Sequence, residues 1–193
     1  MQTTSPRKKK RSQRKILLVI LIFWAALYVV DSPAPPVALP EGPVTAYLLD
    51  GNAHVFTNDP TPKLHRWPII EEKTIDDPEL LNEIRSKIGS RFSYSIFLPT
   101  LCFDPHIGFR FGSGDKAVDV LICLECDNAD FFYGRDLNEL VISWPGHSRF
   151  KDLHEHVFPN SQPKIEKFHA EFVARQEARR SATTAPTAGK RAG

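Results

Sequence analysis

The residues of this 193-residue chain best suited to chemistry lie in one stretch, Leu101 to Asp127, which holds its three cysteines, Cys102, Cys123 and Cys126, together with His106. Thiolate sulfur and imidazole nitrogen are the ligands that tetrahedral zinc prefers, and Cys123-x2-Cys126 is an ordinary half-site, with Cys102-x3-His106 a less common one. In an oxidising compartment, two thiols brought face to face instead close a disulfide, and Cys102–Cys126 is the pair a local hairpin would align. Cysteine is also a small apolar core residue. A redox-active Cys123/Cys126 pair is the fourth reading. It ranks last because such a pair usually lies where a strand hands over to a helix, whereas the residues after Cys126 read as a strand. Asp104, Asp119, Glu125, Asp127 and Asp130 crowd the motif and would raise a thiol pKa, not lower it. Disulfide comes first, zinc second and buried apolar cysteines third.

A hairpin must position these groups. Ile107, Phe109 and Phe111 alternate with Gly108 and Arg110, the period of a strand with one buried face. Gly112-Ser-Gly-Asp115 supplies glycines for a tight reversal. Ala117 to Cys123 is apolar except for Asp119 and reads as a buried strand. Closing the turn there sets Cys102 opposite Cys126, and His106 opposite the Ile122/Cys123 step. Cys123 and Cys126 are three apart and share a side only if a bulge or turn forms at Leu124-Glu125.

The pattern Cys102-Phe-x-Pro105-His106, then Arg110, then Ile122-Cys123-x-Glu125-Cys126 resembles that of an uncharacterised group of bacterial exported or membrane-anchored proteins. The resemblance implies that the motif acts as a unit, with Pro105, Arg110 and Glu125 as supporting residues. It implies no activity.

Charge divides the chain. Residues 1–15 carry seven positive charges and no acid, and residues 164–193 carry +4, so the net +2 leaves −9 for the stretch between. An acidic body repels phosphate backbones, which argues against nucleic acid as a partner. Residues 16–30, ILLVILIFWAALYVV, follow the basic run without a charge. The expectation is an uncleaved transmembrane signal-anchor, with residues 1–15 as a cytoplasmic tail and the rest extracytoplasmic. Residues 31–43, with five prolines, form an extended spacer.

Residues 44–160 are expected to fold as an α+β domain: a mostly antiparallel sheet of about five or six strands with helices on one face, preceded by the transmembrane helix. Strands are expected at 44–49, 67–75, 92–97, 131–133 and 140–143 besides the hairpin. Asp77-Pro78-Glu79 opens the clearest helix, with Leu80, Leu81, Ile84 and Ile88 on one face and Gly89 at its end. A second helix is expected after Ser148, with Phe150, Leu153, Val157 and Phe158 on one side. Residues 161–180 read as an amphipathic helix and 181–193 as a disordered tail. His54 and His65 read as surface residues, and His147, His154 and His156 as a solvated helix edge.

The sequence contains no phosphate-cradling glycine loop, no Ser/His/Asp set and no zinc-hydrolase helix. The expected role is a membrane-anchored periplasmic domain, structural or binding and not enzymatic, whose cysteine motif pins the central hairpin. A zinc module using Cys102, His106, Cys123 and Cys126 is the alternative, and a thiol–disulfide oxidoreductase the second. No motif names a protein partner.

Overall fold

A computed structural model of the chain describes residues 16–20, 22, 33–53, 60–100 and 102–184. Residues 16–20 and 22 are helical (α1). The body is built on one antiparallel sheet: β1 (Val44–Leu49), β2 (Lys63–Leu64), β3 (Trp67–Ile75), β4 (Tyr94–Ser95), β5 (Ile107–Phe111), β6 (Val118–Cys123), β7 (Asn128–Tyr133) and β8 (Asp136–Ile142). Across the sheet the order is β2-β3-β1-β5-β6-β7-β8-β4. Strands β5 to β8 form a meander, and β1 docks on the outer edge of β5. The central hairpin turns as its glycines predict: Gly112 and Gly114 take φ of +72° and +62°, and Ile107 faces Ile122.

Three helices accompany the sheet: α2 (Pro78–Ile88), α3 (Trp144–Val157) and α4 (Ser161–Thr184). Asp77 caps α2 by accepting from the Leu80 amide at 2.8 Å. Alternate residues of the central strands point at these helices. Leu48, Ile107, Phe109, Phe111, Val120, Ile122 and Phe131 are fully buried against Ile84, Ile88, Phe150, Leu153 and Phe158. Ile165 and Phe172 of α4 are buried as well, so that helix docks on the body. The intervening residues of the same strands face the other way, and among the described residues no α-helix contributes to the cavities over Arg110, Asp119 and Asp130. That face is partly covered by the β2–β3 turn, whose Leu64 and Trp67 pack on Leu49, Tyr47 and Leu121.

Several expectations need correction. The sheet has eight strands, not five or six: the two-residue edge strand β2 is too short to show a period, and of the stretch expected at 92–97 only Tyr94–Ser95 is strand. The alternation at 92–97 does not make a full strand: Arg91–Ser93 is a 3-10 turn, and Ile96, Phe97 and Leu98 are exposed. Helix α3 starts at Trp144, capped by Ser143 and not Ser148, with Pro145 in its first turn where a missing amide is harmless. The transmembrane helix is not borne out. Among the described residues no helix is long and apolar enough to cross a membrane. Fifteen residues would make only about 22 Å of helix against a hydrocarbon core of about 30 Å. Residue 21 and residues 23–30 of that segment, residues 1–15, His54 and residues 185–193 of the tail lie outside the described residues.

Candidate functional site

The helix-free face gathers the polar residues of the sheet interior. Asp119, the lone charge in β6, sits directly across from Arg110 of β5 in the hairpin register. Arg110 grips it with two bonds, Nε to Oδ1 and NH2 to Oδ2, both 2.7 Å. His65 Nε2 meets the same Oδ2 at 2.9 Å. Burial alone would raise the Asp119 carboxyl, but the bonds from His65 and Arg110 outweigh it and hold it below the usual carboxylate range. His65 lies in the β2–β3 turn with φ of +54°, and its ring stacks on Phe132 at 3.8 Å. A non-glycine residue in that conformation is held there by its surroundings. Gly108 makes the approach feasible: a Cβ built on it would come within 2.7 Å of the Leu64 side chain. The turn therefore rests on bare backbone and delivers His65 to Asp119.

Two cavities meet at His65 and Phe132. One, of about 770 Å³, runs past Arg110, Asp119 and the β5–β6 turn to Arg135. The other, of about 470 Å³, lies between the β2–β3 turn and strands β7 and β8, walled by Trp67, Phe103 and Phe132. Trp67 and Phe103 meet edge to face at 5.3 Å. Asp130 and Glu139 form a cross-strand pair on this cavity's wall. Asp130 is 5% exposed, and its pKa is pushed up to about 7, first by burial and then by the Glu139 charge, with Arg66 pulling the other way.

The cysteine motif lies beside the Thr100, Phe103 and Asn128 that line this cavity. Cys102 is exposed, while Cys123 and Cys126 are buried and all three are free thiols. The neighbouring Cys126 thiol, then Thr100, whose Oγ1 lies 3.6 Å from the Cys102 sulfur, lower the Cys102 pKa. Burial, then hydrogen bonds to its two neighbours, raise that of Cys126. Burial also raises Cys123, which accepts the Cys126 amide at 3.2 Å. A turn over residues 124–127 brings the last two cysteines together, with Asp127 at φ of +52°. Thr100 ties the cluster to the cavity, donating from Oγ1 to the Cys126 carbonyl at 3.1 Å and accepting from Asn128 at 2.9 Å.

Of the predicted site residues, the structure therefore joins Cys102, Cys123 and Cys126 and leaves His106 apart. His106 instead lies near His154 of α3, where it adds to burial in disfavouring protonation of His154. Among the described residues no group of three or more His, Cys, Asp or Glu is arranged to hold a metal ion. Pro105 is buried behind Gly51, whose missing side chain lets the Asp104 backbone pass. Arg110 belongs to the Asp119 cluster, and Glu125 is exposed in the turn.

The histidine expectations change most. His65 is exposed, as expected, yet it is also an element of the site, pairing with Asp119 and lining both cavities. His154 is not on a solvated edge: burial, then His106, lower its pKa to about 4, and its Nε2 is buried without a partner. His147 and His156 do sit on the helix edge, paired with Asp127 and Glu83. The sign of His65 in the sequence was indirect: Asp119 stands alone in an apolar strand, opposite Arg110, with one carboxylate oxygen still able to take a second donor. Protein-family models, curated proteins and solved structures were compared with this chain, and none matches.

Proposed function

We propose that the chain is a ligand-binding domain whose site is the groove on the helix-free face of its sheet. The observation that carries this reading is the meeting of two cavities, about 770 and 470 Å³, at a histidine held by a carboxylate and stacked on Phe132. Binding sites combine aromatic walls with a few converging polar groups, some of shifted pKa, and this groove has both. His65, Asp119 and Arg110 form one end, and Trp67, Phe103, Phe132 and Asp130 the other. The test is amide and indole chemical-shift mapping of the full chain against mixtures of small fragments of positive, negative and zero charge. Perturbations gathered on His65, Trp67 and Phe132 support the reading. A fragment set that moves only resonances elsewhere, or none, overturns it.

The cysteines support a second, structural role. Thr100, bonded both to the Cys102 thiol and to the Cys126 carbonyl, brings the two cysteines near each other and favours a staple that pins the Cys102 segment against the 124–127 turn. Its formation passes two electrons to an oxidant such as glutathione disulfide and releases two protons, leaving Cys123 free. Protein prepared without reductant should show one titratable thiol after denaturation. Three thiols would refute the staple, and three thiols with bound zinc would favour the four-ligand site.

A further inference from the structure

We propose that the smaller cavity, between the β2–β3 turn and strands β7 and β8, binds an organic cation: an ammonium group carried on an apolar or aromatic body. The inference rests on the groove being a binding site and names what it takes. It follows from which polar groups there lack partners. Among the described residues nothing hydrogen-bonds the Asp130 carboxyl, although the residue is only 5% exposed and lines the cavity. Asn128, 2% exposed and also lining it, has an unpartnered Oδ1. Its amide cannot be turned round to cure this. Its Nδ2 donates to the carbonyls of Thr100 and Cys102, at 3.2 and 3.4 Å, and carbonyls only accept.

The groups without a donor among the described residues are thus two acceptors, the Asp130 carboxyl and the Asn128 amide oxygen, and the exposed Glu139 carboxylate stands opposite Asp130 across the strands. An anion or a pure acceptor would leave those two acceptors unpaired, because a buried acceptor is satisfied only by a donor, and would meet donors chiefly in the exposed Arg66 and His65 of the β2–β3 turn. An ammonium supplies up to three N–H donors and a positive charge. The walls suit the same ligand, since Trp67, Phe103 and Phe132 present aromatic surface, and a cation is drawn to an aromatic face. The chain already shows that preference with its own side chain: the Arg66 guanidinium lies 4.4 Å from the Trp67 ring centroid.

Proton balance gives the ligand a signature. With its pKa near 7, Asp130 is largely protonated below neutrality. The groups that face it are Glu139 of β8 and Arg66 and His65 of the β2–β3 turn, with Asp119 of β6 behind His65. An incoming ammonium favours the carboxylate, so binding releases the Asp130 proton to solvent, and affinity rises between about pH 6 and 8.

The experiment titrates the full chain with three probes of matched shape: tyramine, 4-ethylphenol, which lacks the ammonium, and 3-(4-hydroxyphenyl)propanoate, which carries a carboxylate in its place. The Trp67 indole and Asn128 side-chain amide are followed by NMR. Tyramine should bind at least about tenfold more tightly than 4-ethylphenol, as expected for one charge-assisted contact, and the propanoate should bind least. Asp130→Asn should weaken tyramine by about tenfold or more and remove its pH dependence while leaving 4-ethylphenol unchanged. Glu139→Gln, at an exposed position where folding is not at risk, should weaken tyramine by a smaller factor. If the neutral or anionic probe binds this cavity as tightly as tyramine, the cation assignment falls and the binding groove stands. If none of the three binds while the fragment mixtures still map to the groove, the assignment again falls alone. If the fragments also miss the groove, both fall.

Discussion

Phe131 and Phe132 are neighbours in β7, yet they belong to two different environments. Phe131 is fully buried among Tyr94, Phe109 and the helices, while Phe132 carries the His65 ring and lines both cavities. The same division runs through every central strand, because successive side chains point to opposite faces. On the helix side the facing residues are nearly all apolar, and a buried tyrosine finds its acceptor, Tyr94 donating to the Ile88 carbonyl at 2.7 Å. On the other side stand Arg110, Asp119, Asn128 and Asp130, where the buried Asn128 Oδ1 has no donor among the described residues. One face supplies stability. The other keeps polar groups that an ordinary core would exclude, since an unpaired buried polar group costs about 1–3 kcal/mol.

Substitutions should separate the faces most sharply in the core. Phe109→Ala, behind the sheet, should cost about 3–5 kcal/mol of unfolding free energy in urea titration, with fragment binding to the groove retained in the folded fraction. Gly146→Ala should also be severe, because any Cβ there runs into the Ser93 carbonyl that anchors the start of α3. Similar losses from Phe132→Ala would blur the distinction.

Arg110→Ala should come next, at about 1–3 kcal/mol. The guanidinium is 40% exposed, but it leaves behind a carboxylate only 7% exposed. His65 remains to share Asp119, so adding His65→Ala should deepen the loss beyond the sum of the two single substitutions. Strict additivity would show that His65 does not support Asp119.

The faces should also titrate in opposite directions. Burial and Glu139 raise Asp130 from 3.8 to about 7. Between those values the folded chain holds the proton more tightly than the unfolded one, so its contribution to stability is lost as pH rises through that window. Burial and His106 lower His154 from 6.5 to about 4, so its contribution is present above pH 6.5 and lost as pH falls towards 4. Asp130→Asn should flatten the loss towards neutrality, and His154→Gln the loss on the acid side. Thermal denaturation from pH 4 to 8 measures both, and unchanged profiles would remove the assigned shifts.

The legible and illegible parts divide along similar lines. The hairpin register followed from the Gly112–Asp115 turn, and α2 from Asp77, Pro78 and the Leu80–Ile88 stripe, because these are local signals. The turn that Cys123 and Cys126 need was legible too and forms at residues 124–127, whereas His106, expected beside the cysteines, stands apart. His65 was not, because its partner is 54 residues away and no periodicity joins them. The Phe92–Phe97 alternation misled because Ser93 is taken up at the start of α3: its carbonyl accepts the Ser143 amide at 2.9 Å. Burial there follows a helix start fifty residues later, not a strand face.

The smallest expected effect concerns the thiols. Cys102, exposed and with a lowered pKa, should be alkylated by iodoacetamide at pH 7 in the reduced protein, with Cys123 and Cys126 protected until unfolding. Peptide mass spectrometry reads the sites, and stability should change by less than about 0.5 kcal/mol. Equal labelling of all three would show that the cluster is open.

The most direct test of the two-face account is the pair Phe131→Ala and Phe132→Ala, each measured by urea unfolding and by chemical-shift mapping with the fragment mixtures. The account predicts a loss of about 3–5 kcal/mol for Phe131→Ala with groove binding intact, and about 1–2 kcal/mol for Phe132→Ala with groove binding abolished. Equal destabilisation by both, with fragment binding untouched by Phe132→Ala, would contradict it.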